Sequence, residues 1–96
     1  MPDAELNLIV IRSADLNRSA RFYGTLGIQF SRERHGSGPE HLAGNTGGVV
    51  LEIYPQSAGV RTAKTQIGFR VNSIAALVPT LQEAGGTVVS PCEASE

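Results

Sequence analysis

Apolar and polar residues alternate along residues 47–55, GGVVLEIYP, and this alternation predicts a strand with two different faces. Two glycines open the segment and a proline closes it. The face suited to a hydrophobic core carries Val49, Leu51 and Ile53. The opposite face carries Gly48, Val50, Glu52 and Tyr54. A carboxylate is costly to cover unless it is paired or bound to a metal, so Glu52 is a candidate functional residue.

The same patterning predicts six strands and two helices. The predicted strands are residues 6–11, 28–34, 40–43, 47–55, 65–71 and 87–90. The first predicted helix covers residues 15–27, begins at the capping segment 13–15 and ends at Gly27. The second covers residues 74–84, is capped by Asn72 or Ser73, and contains Pro79, which predicts a kink.

An offset of 58 residues maps residues 8–31 onto residues 66–89, which indicates an internal repeat. Arg12 falls on Arg70, and Gly27 falls on Gly85. We therefore expect two copies of one strand–helix–strand unit. The first copy continues with two more strands, whereas the second reaches Glu96 before their counterparts, either as a natural short form or through a lost C-terminus. Because an unpaired sheet edge favours association, we expect a homodimer.

Composition narrows the classes of function. The chain has 96 residues, 41% of them apolar and 18% charged, which fits one small folded domain over residues 1–96. The net charge of −1 gives no electrostatic support for nucleic-acid binding. The single cysteine, Cys92, excludes an internal disulfide, and no signal peptide or membrane-spanning run is apparent, so a cytoplasmic protein without membrane contact is expected.

Extending the two-residue period to the first, fourth and fifth predicted strands places several polar side chains on the sheet face opposite the helices. This face would form a cleft lined by Arg12, Glu52, Tyr54, Gln66 and Arg70. The alternative is that Glu52 pairs with Arg12 or Arg70 on an ordinary solvated surface. His35 and His41 are expected to be surface residues rather than ligands.

Three stretches carry a resemblance to a known family: SADLNRSARFYGTLGIQF, VVLEIYP and QIGFRVNSIAALVPTLQEAGGTVVSP. With their DL-x-RS-x-x-FY and EAGG-x-V patterns, they resemble the vicinal oxygen chelate superfamily, which includes glyoxalase I, bleomycin-resistance proteins, fosfomycin-resistance enzymes and extradiol dioxygenases. The resemblance implies an α+β fold of paired βαβββ modules, each a half-barrel. Module one would cover residues 5–55, and module two, without its last two strands, residues 65–91.

The resemblance also implies a divalent metal in the cavity. Of the family's ligand positions, Glu52 matches, Gln66 stands where histidine is usual, Leu8 cannot bind a metal, and the fourth would follow Glu96. Glu52 and Gln66 are thus the implied metal residues, with Ni, Zn, Mn or Fe as candidate ions and none firmly expected. Arg12 matches an arginine that binds a glutathione carboxylate in glyoxalase I.

The expected function is a glyoxalase-like protein that binds a small anionic or aromatic ligand in the sheet cleft beside an incomplete metal site. One alternative is a metal-dependent lyase or dioxygenase in which Glu52 is catalytic and a partner subunit supplies the missing ligands. Another is an inactive truncated remnant kept folded by dimerisation.

Overall fold

The computed structural model describes residues 3–90, which form a four-stranded sheet with two helices. In chain order the elements are β1 (Leu8–Ser13), α1 (Leu16–Gly24), β2 (Phe30–Glu33), β3 (His41–Thr46), β4 (Val49–Pro55) and α2 (Ile74–Glu83). This confirms the predicted α+β class, and the first five elements make one βαβββ module.

The sheet is mixed, with strand order β1-β4-β3-β2. β1 lies parallel to β4, with Val10 opposite Glu52 and Arg12 opposite Tyr54. β3 runs antiparallel to both β4 and β2, and Glu33 of β2 lies opposite His41. The polar residues of four strands are therefore aligned across one face of the sheet.

Side-chain capping fixes where both helices begin. Asp15 precedes α1 in an extended conformation, and its side chain accepts a hydrogen bond from the Arg18 backbone N–H. Ser73 does the same for α2 through the Ala76 backbone N–H. Pro79 lies inside α2, as the sequence predicts. The helix ends touch: the guanidinium of Arg21 donates to the Glu83 carbonyl at 3.3 Å.

The hydrophobic core lies between the sheet and α1, as the alternation in β4 predicts. Its buried residues are Ile11, Ile28, Leu42, Leu51 and Ile53. From α1, Leu16, Ala20 and Tyr23 pack against them. Within residues 3–90, α1 packs on the core face of the sheet, and we call the opposite face, which carries Glu52 and Tyr54, the open face.

The predicted strands over residues 65–71 and 87–90 are wrong, because neither segment forms a strand. A strand needs a neighbour to satisfy its backbone hydrogen bonds, and neither segment pairs with the sheet. Residues 65–71 still keep part of their predicted packing: Ile67 and Phe69 contact the core, and the Phe69 ring lies 6.2 Å from that of Tyr23. Val89, in contrast, is 95% exposed. Within residues 3–90 the second copy of the repeat thus contributes one regular element, its helix, besides the core contacts of Ile67 and Phe69.

Several boundaries also differ from the predicted ones. Pairing with β4 carries β1 through Arg12 to Ser13, past the predicted end at residue 11. β3 continues to Thr46, and the turn to β4 is made by Gly47 and Gly48 alone. Both glycines have positive φ, 56° and 83°, which a two-residue hairpin of this kind requires. Across the described part of the chain, neither helix is long and apolar enough to cross a membrane.

Candidate functional site

A row of stacked side chains crosses the open face of the sheet. The strand order places Tyr54 of β4 between Arg12 of β1 and His41 of β3. The Tyr54 and His41 rings are nearly parallel, 8° apart, with centroids separated by 4.1 Å. On the β1 side, the guanidinium carbon of Arg12 lies 4.9 Å from the Tyr54 centroid, within cation–π range.

The guanidinium of Arg12 has no anionic partner among residues 3–90. Its backbone N–H donates to Thr62 Oγ1 at 2.7 Å, which fixes the end of β1. The predicted alternative, an ion pair between Glu52 and Arg12 or Arg70, does not form in this part of the chain. Arg12 therefore presents a positioned, half-buried cation that is open to an anion.

Glu52 occupies the centre of the open face, as predicted, with its side chain 19% exposed. Its cross-strand neighbours, Val10 and Ala43, are apolar. Among residues 3–90, the basic side chain within 4.0 Å of its carboxylate is that of His41, whose Nε2 atom lies 3.9 Å from Glu52 Oε2. The Glu52 carboxylate in β4 thus lies beside a histidine rather than an arginine.

His41 is the centre of a cluster of four potential ligands, and the expectation that it is a surface residue is wrong. Its side chain is 1% exposed because Tyr54 covers one ring face and β2 and the β2–β3 loop adjoin it. Glu33 Oε1 lies 3.8 Å from His41 Nε2 and 3.6 Å from His35 Nε2. One potential ligand atom from each of the four residues lies within 4.8 Å of every other; we call Glu33, His35, His41 and Glu52 the histidine–glutamate cluster.

The sequence-predicted residues separate into two groups. Arg12, Glu52 and Tyr54 lie together on the open face, whereas Gln66 is exposed on the segment that forms no strand. Arg70 borders a different surface cleft, beside the end of α1 and the start of α2. Leu8 is apolar and 47% exposed on the edge strand. Of the positions that the resemblance assigns to a metal, Glu52 is the one that lies in a group of potential ligands among residues 3–90.

A mainly apolar cavity of about 480 Å³ lies on the helix side, between the core, both helices and the extended segment, and Arg12 borders it. Tyr23, Phe69 and Leu77 line it. Desolvation by burial raises the pKa of the Tyr23 hydroxyl.

Sequence reasoning missed Glu33, His35 and His41 as a group. Glu33 and His35 are two residues apart, a spacing that in an extended chain puts both on one side, and His41 begins the next strand. The antiparallel pairing of Glu33 with His41 then closes the cluster. The pattern that could have predicted the cluster is E-x-H at the end of one strand, followed by a histidine at the start of the next strand.

Comparison with known proteins agrees with this architecture. A family model described as the Glyoxalase/Bleomycin resistance protein/Dioxygenase superfamily matches residues 5–94. A hypothetical protein from S. aureus shares the fold with a TM-score of 0.73 and 23% identity, over 98% of this chain and 80% of that one.

Two further structures, both from mobile metagenomes and one of them an integron cassette protein, have the same fold. One from V. cholerae gives a TM-score of 0.63 at 18% identity, over 95% of this chain and 75% of that one. A protein from the mobile metagenome of V. pseudocholerae gives 0.63 at 19%, over 95% and 74%. No curated protein matches the sequence. These likenesses establish the fold alone.

Proposed function

Because the chain belongs to the Glyoxalase/Bleomycin resistance protein/Dioxygenase superfamily, we propose that it binds a small anionic molecule on the open face of its sheet. The observation that carries this proposal is the Arg12 guanidinium, which stacks over Tyr54 and has no anionic partner among the described residues. Because no carboxylate of the described residues pairs with it, the Arg12 guanidinium is available to an anionic ligand.

The stacked side chains of Arg12, Tyr54 and His41 favour a carboxylate or a similar planar anion as the ligand. A guanidinium presents paired N–H donors that match the two oxygens of a carboxylate. Stacking on Tyr54 restricts the Arg12 side chain before the ligand arrives, which lowers the entropic cost of binding. An uncharged aromatic ligand is the weaker candidate, because Arg12 and His41 flank the Tyr54 ring in the row.

A matched pair of arginine variants tests the proposal. Small carboxylates and their neutral amides would be screened by thermal shift, and hits would be measured by titration calorimetry. Arg12→Gln should weaken binding of a carboxylate about tenfold or more, since it removes a charge-assisted hydrogen bond. Arg70→Gln, at the corresponding repeat position but in another cleft, should leave the affinity unchanged.

Two results would contradict the proposal. One is a screen in which no carboxylate stabilises the protein more than its amide does, which would support the inactive remnant instead. The other is equal loss of binding in the Arg12 and Arg70 variants, which would place the ligand outside the row on the open face.

A metal-dependent lyase or dioxygenase is the second candidate. It is favoured by one observation: Glu52, at a position where the resemblance implies a metal ligand, lies beside His41 in the histidine–glutamate cluster. Under this candidate Glu52 acts as a ligand or a base, and further ligands come from a partner subunit. Metal analysis of the purified protein, followed by activity assays of Glu52→Gln, distinguishes it from simple ligand binding.

We also propose that the protein is a homodimer in which the second copy covers the free edge of β1. Among residues 3–90, β1 pairs only with β4, and its edge carries Leu8 and Val10, which are 47% and 45% exposed. An unpaired apolar edge favours strand-to-strand association. Light scattering should give twice the mass of the chain, and Val10→Lys should shift it toward the monomer; a monomeric wild-type protein would contradict the proposal.

A further inference from the structure

We propose that the histidine–glutamate cluster binds one divalent transition-metal ion, of the class that includes Zn²⁺. The cluster consists of Glu33, His35, His41 and Glu52. It shares only Glu52 with the positions that the family resemblance assigns to a metal, and all four residues belong to this chain. The inference is therefore independent of the anion proposed at Arg12.

The unpartnered nitrogen of His41 is the observation that points to an ion. His41 is 1% exposed, and its Nε2 atom is buried without any hydrogen-bond partner. Buried polar atoms are almost always satisfied, so an orphan usually marks a missing ion or water. Glu33 and Glu52 face this nitrogen with carboxylate oxygens at 3.8 Å and 3.9 Å.

The other ring nitrogen of His41 indicates which groups meet in the centre of the cluster. Nδ1 lies 3.3 Å from the Pro39 carbonyl oxygen, an acceptor, so the neutral ring holds its proton at Nδ1 and donates it there. Nε2 then carries a lone pair and faces two carboxylates, which also carry only lone pairs. A cation at the centre would satisfy all of these electron donors, and a backbone carbonyl on the second nitrogen is one of the usual supports of a metal-binding histidine.

The separations suit a small ion. Tetrahedral zinc with bonds of about 2.0–2.2 Å places its ligand atoms about 3.3–3.6 Å apart. The His35–Glu33 distance is 3.6 Å, the two His41 distances exceed this range by a few tenths of an ångström, and all four ligand atoms lie within 4.8 Å of one another. His35 is 72% exposed and followed by Gly36, so this ligand can adjust, while stacking on Tyr54 holds His41 in place.

The donor set also indicates which ions should bind. Two imidazole nitrogens and two carboxylates suit Zn²⁺, Co²⁺ or Ni²⁺, whereas Mg²⁺ and Ca²⁺ prefer oxygen ligands alone. The competing explanation is a protonated His41 held between two carboxylates. That arrangement would draw the Nε2–H group into hydrogen-bonding distance of at least one carboxylate oxygen. Both N–O distances, 3.8 Å and 3.9 Å, are longer than a hydrogen bond.

Titration of the metal-stripped protein tests the inference. The full chain, freed of metal with a chelator, would be titrated calorimetrically with Zn²⁺, and with Co²⁺ while the visible d–d absorption is recorded. We expect one ion per chain and the intense absorption of a tetrahedral cobalt site. Mg²⁺ and Ca²⁺ should bind at least about a hundredfold more weakly.

Variants at exposed cluster positions keep the test independent of folding. His35→Ala and Glu33→Gln should each weaken Zn²⁺ binding by about tenfold or more, with unchanged circular dichroism. Glu40→Gln is the matched control, because Glu40 pairs with Arg32 in the same region but lies outside the cluster. Gln66→Ala is the control for the position that the resemblance implies.

The Zn²⁺-binding results of these variants either support or overturn the proposed site. Stoichiometric Zn²⁺ binding that is lost in the His35 and Glu33 variants and kept in both controls supports the site. Absence of Zn²⁺ binding, or binding that survives both cluster variants, overturns it. Loss of binding in Gln66→Ala would also overturn it, since the ion would then lie at the family position.

Discussion

Gly44 lies in the middle of β3 and gives the sharpest test of how the sheet is packed. A Cβ atom added there would lie 2.8 Å from the Gln29 carbonyl oxygen, 2.8 Å from Ile28 Cγ2 and 3.0 Å from Phe30 Cδ1. One of these atoms belongs to the backbone and another to a core side chain, so neither can move aside cheaply. We predict that Gly44→Ala forces the start of β2 away from β3.

The size of the effect follows from two opposing contributions. Overpacking of this kind destabilises by about 1–3 kcal/mol. Replacing a strand glycine by alanine returns about 0.5–1 kcal/mol through the lower entropy of the unfolded chain. The two contributions leave a net loss between about 0 and about 2.5 kcal/mol, with a central value of about 1 kcal/mol.

Urea unfolding monitored by circular dichroism measures this loss. The midpoint should fall while the denaturant slope stays unchanged, because the surface exposed on unfolding is the same. For a chain of this size, each 1 kcal/mol also lowers the melting temperature by about 4–8 °C. Wild-type stability in Gly44→Ala would refute the close approach of β2 to β3.

Gly24 provides the matched control. It is the last residue of α1, and a Cβ atom there would meet nothing within 4 Å. Gly24→Ala should therefore stabilise the protein by about 0.5–1 kcal/mol through helix propensity alone. The two glycine-to-alanine changes are expected to have opposite signs, and a loss in both would point to a general intolerance rather than to the contact at Gly44.

Three further predictions concern the core, a helix cap and alkaline stability. Ile53→Ala, at a position that is 0% exposed, should lower the free energy of unfolding by about 2–5 kcal/mol in urea titrations. Asp15→Ala should lose about 0.5–2 kcal/mol in the same assay, and Asp15→Asn should restore most of it. Burial raises the pKa of Tyr23, so stability is retained below the unfolded-state pKa of about 10 and falls as pH rises through the folded-state pKa. Tyr23→Phe should abolish this alkaline loss when unfolding is measured from about pH 9 to about pH 11; an unchanged pH profile would contradict the assigned burial.

The parts of the fold that depend on local patterning could be predicted from the sequence. Alternation in β4 predicts which residues enter the core, and the capping segments 13–15 and 72–73 predict the starts of both helices, where the structure has Asp15 and Ser73 as caps. Residues 65–71 have the composition of a strand, but a strand exists only where a neighbour accepts its hydrogen bonds. That information lies in the tertiary structure, so the prediction failed there.

The candidate site divides in the same way. Arg12, Glu52 and Tyr54 could be placed on one face because a single period governs them. The burial of His41 could not be predicted, because it results from stacking on Tyr54 in one neighbouring strand and pairing with Glu33 in the other. The register of β3 decides both contacts. Residues 34–40 form a loop between β2 and β3, so the sequence pattern does not show where the two strands pair.

The parallel pairing of β1 with β4 has a consequence for the order of folding. Leu8 pairs with Val50 across the whole of α1, β2 and β3, whereas Thr46 and Val49 are joined by a two-glycine turn. Closing the longer loop is entropically more expensive, so the β2–β3–β4 meander is expected to assemble first and β1 to dock last. The strand that contributes Arg12 would then be the one that leaves first on unfolding, and substitutions in β1 should accelerate unfolding far more than they slow folding.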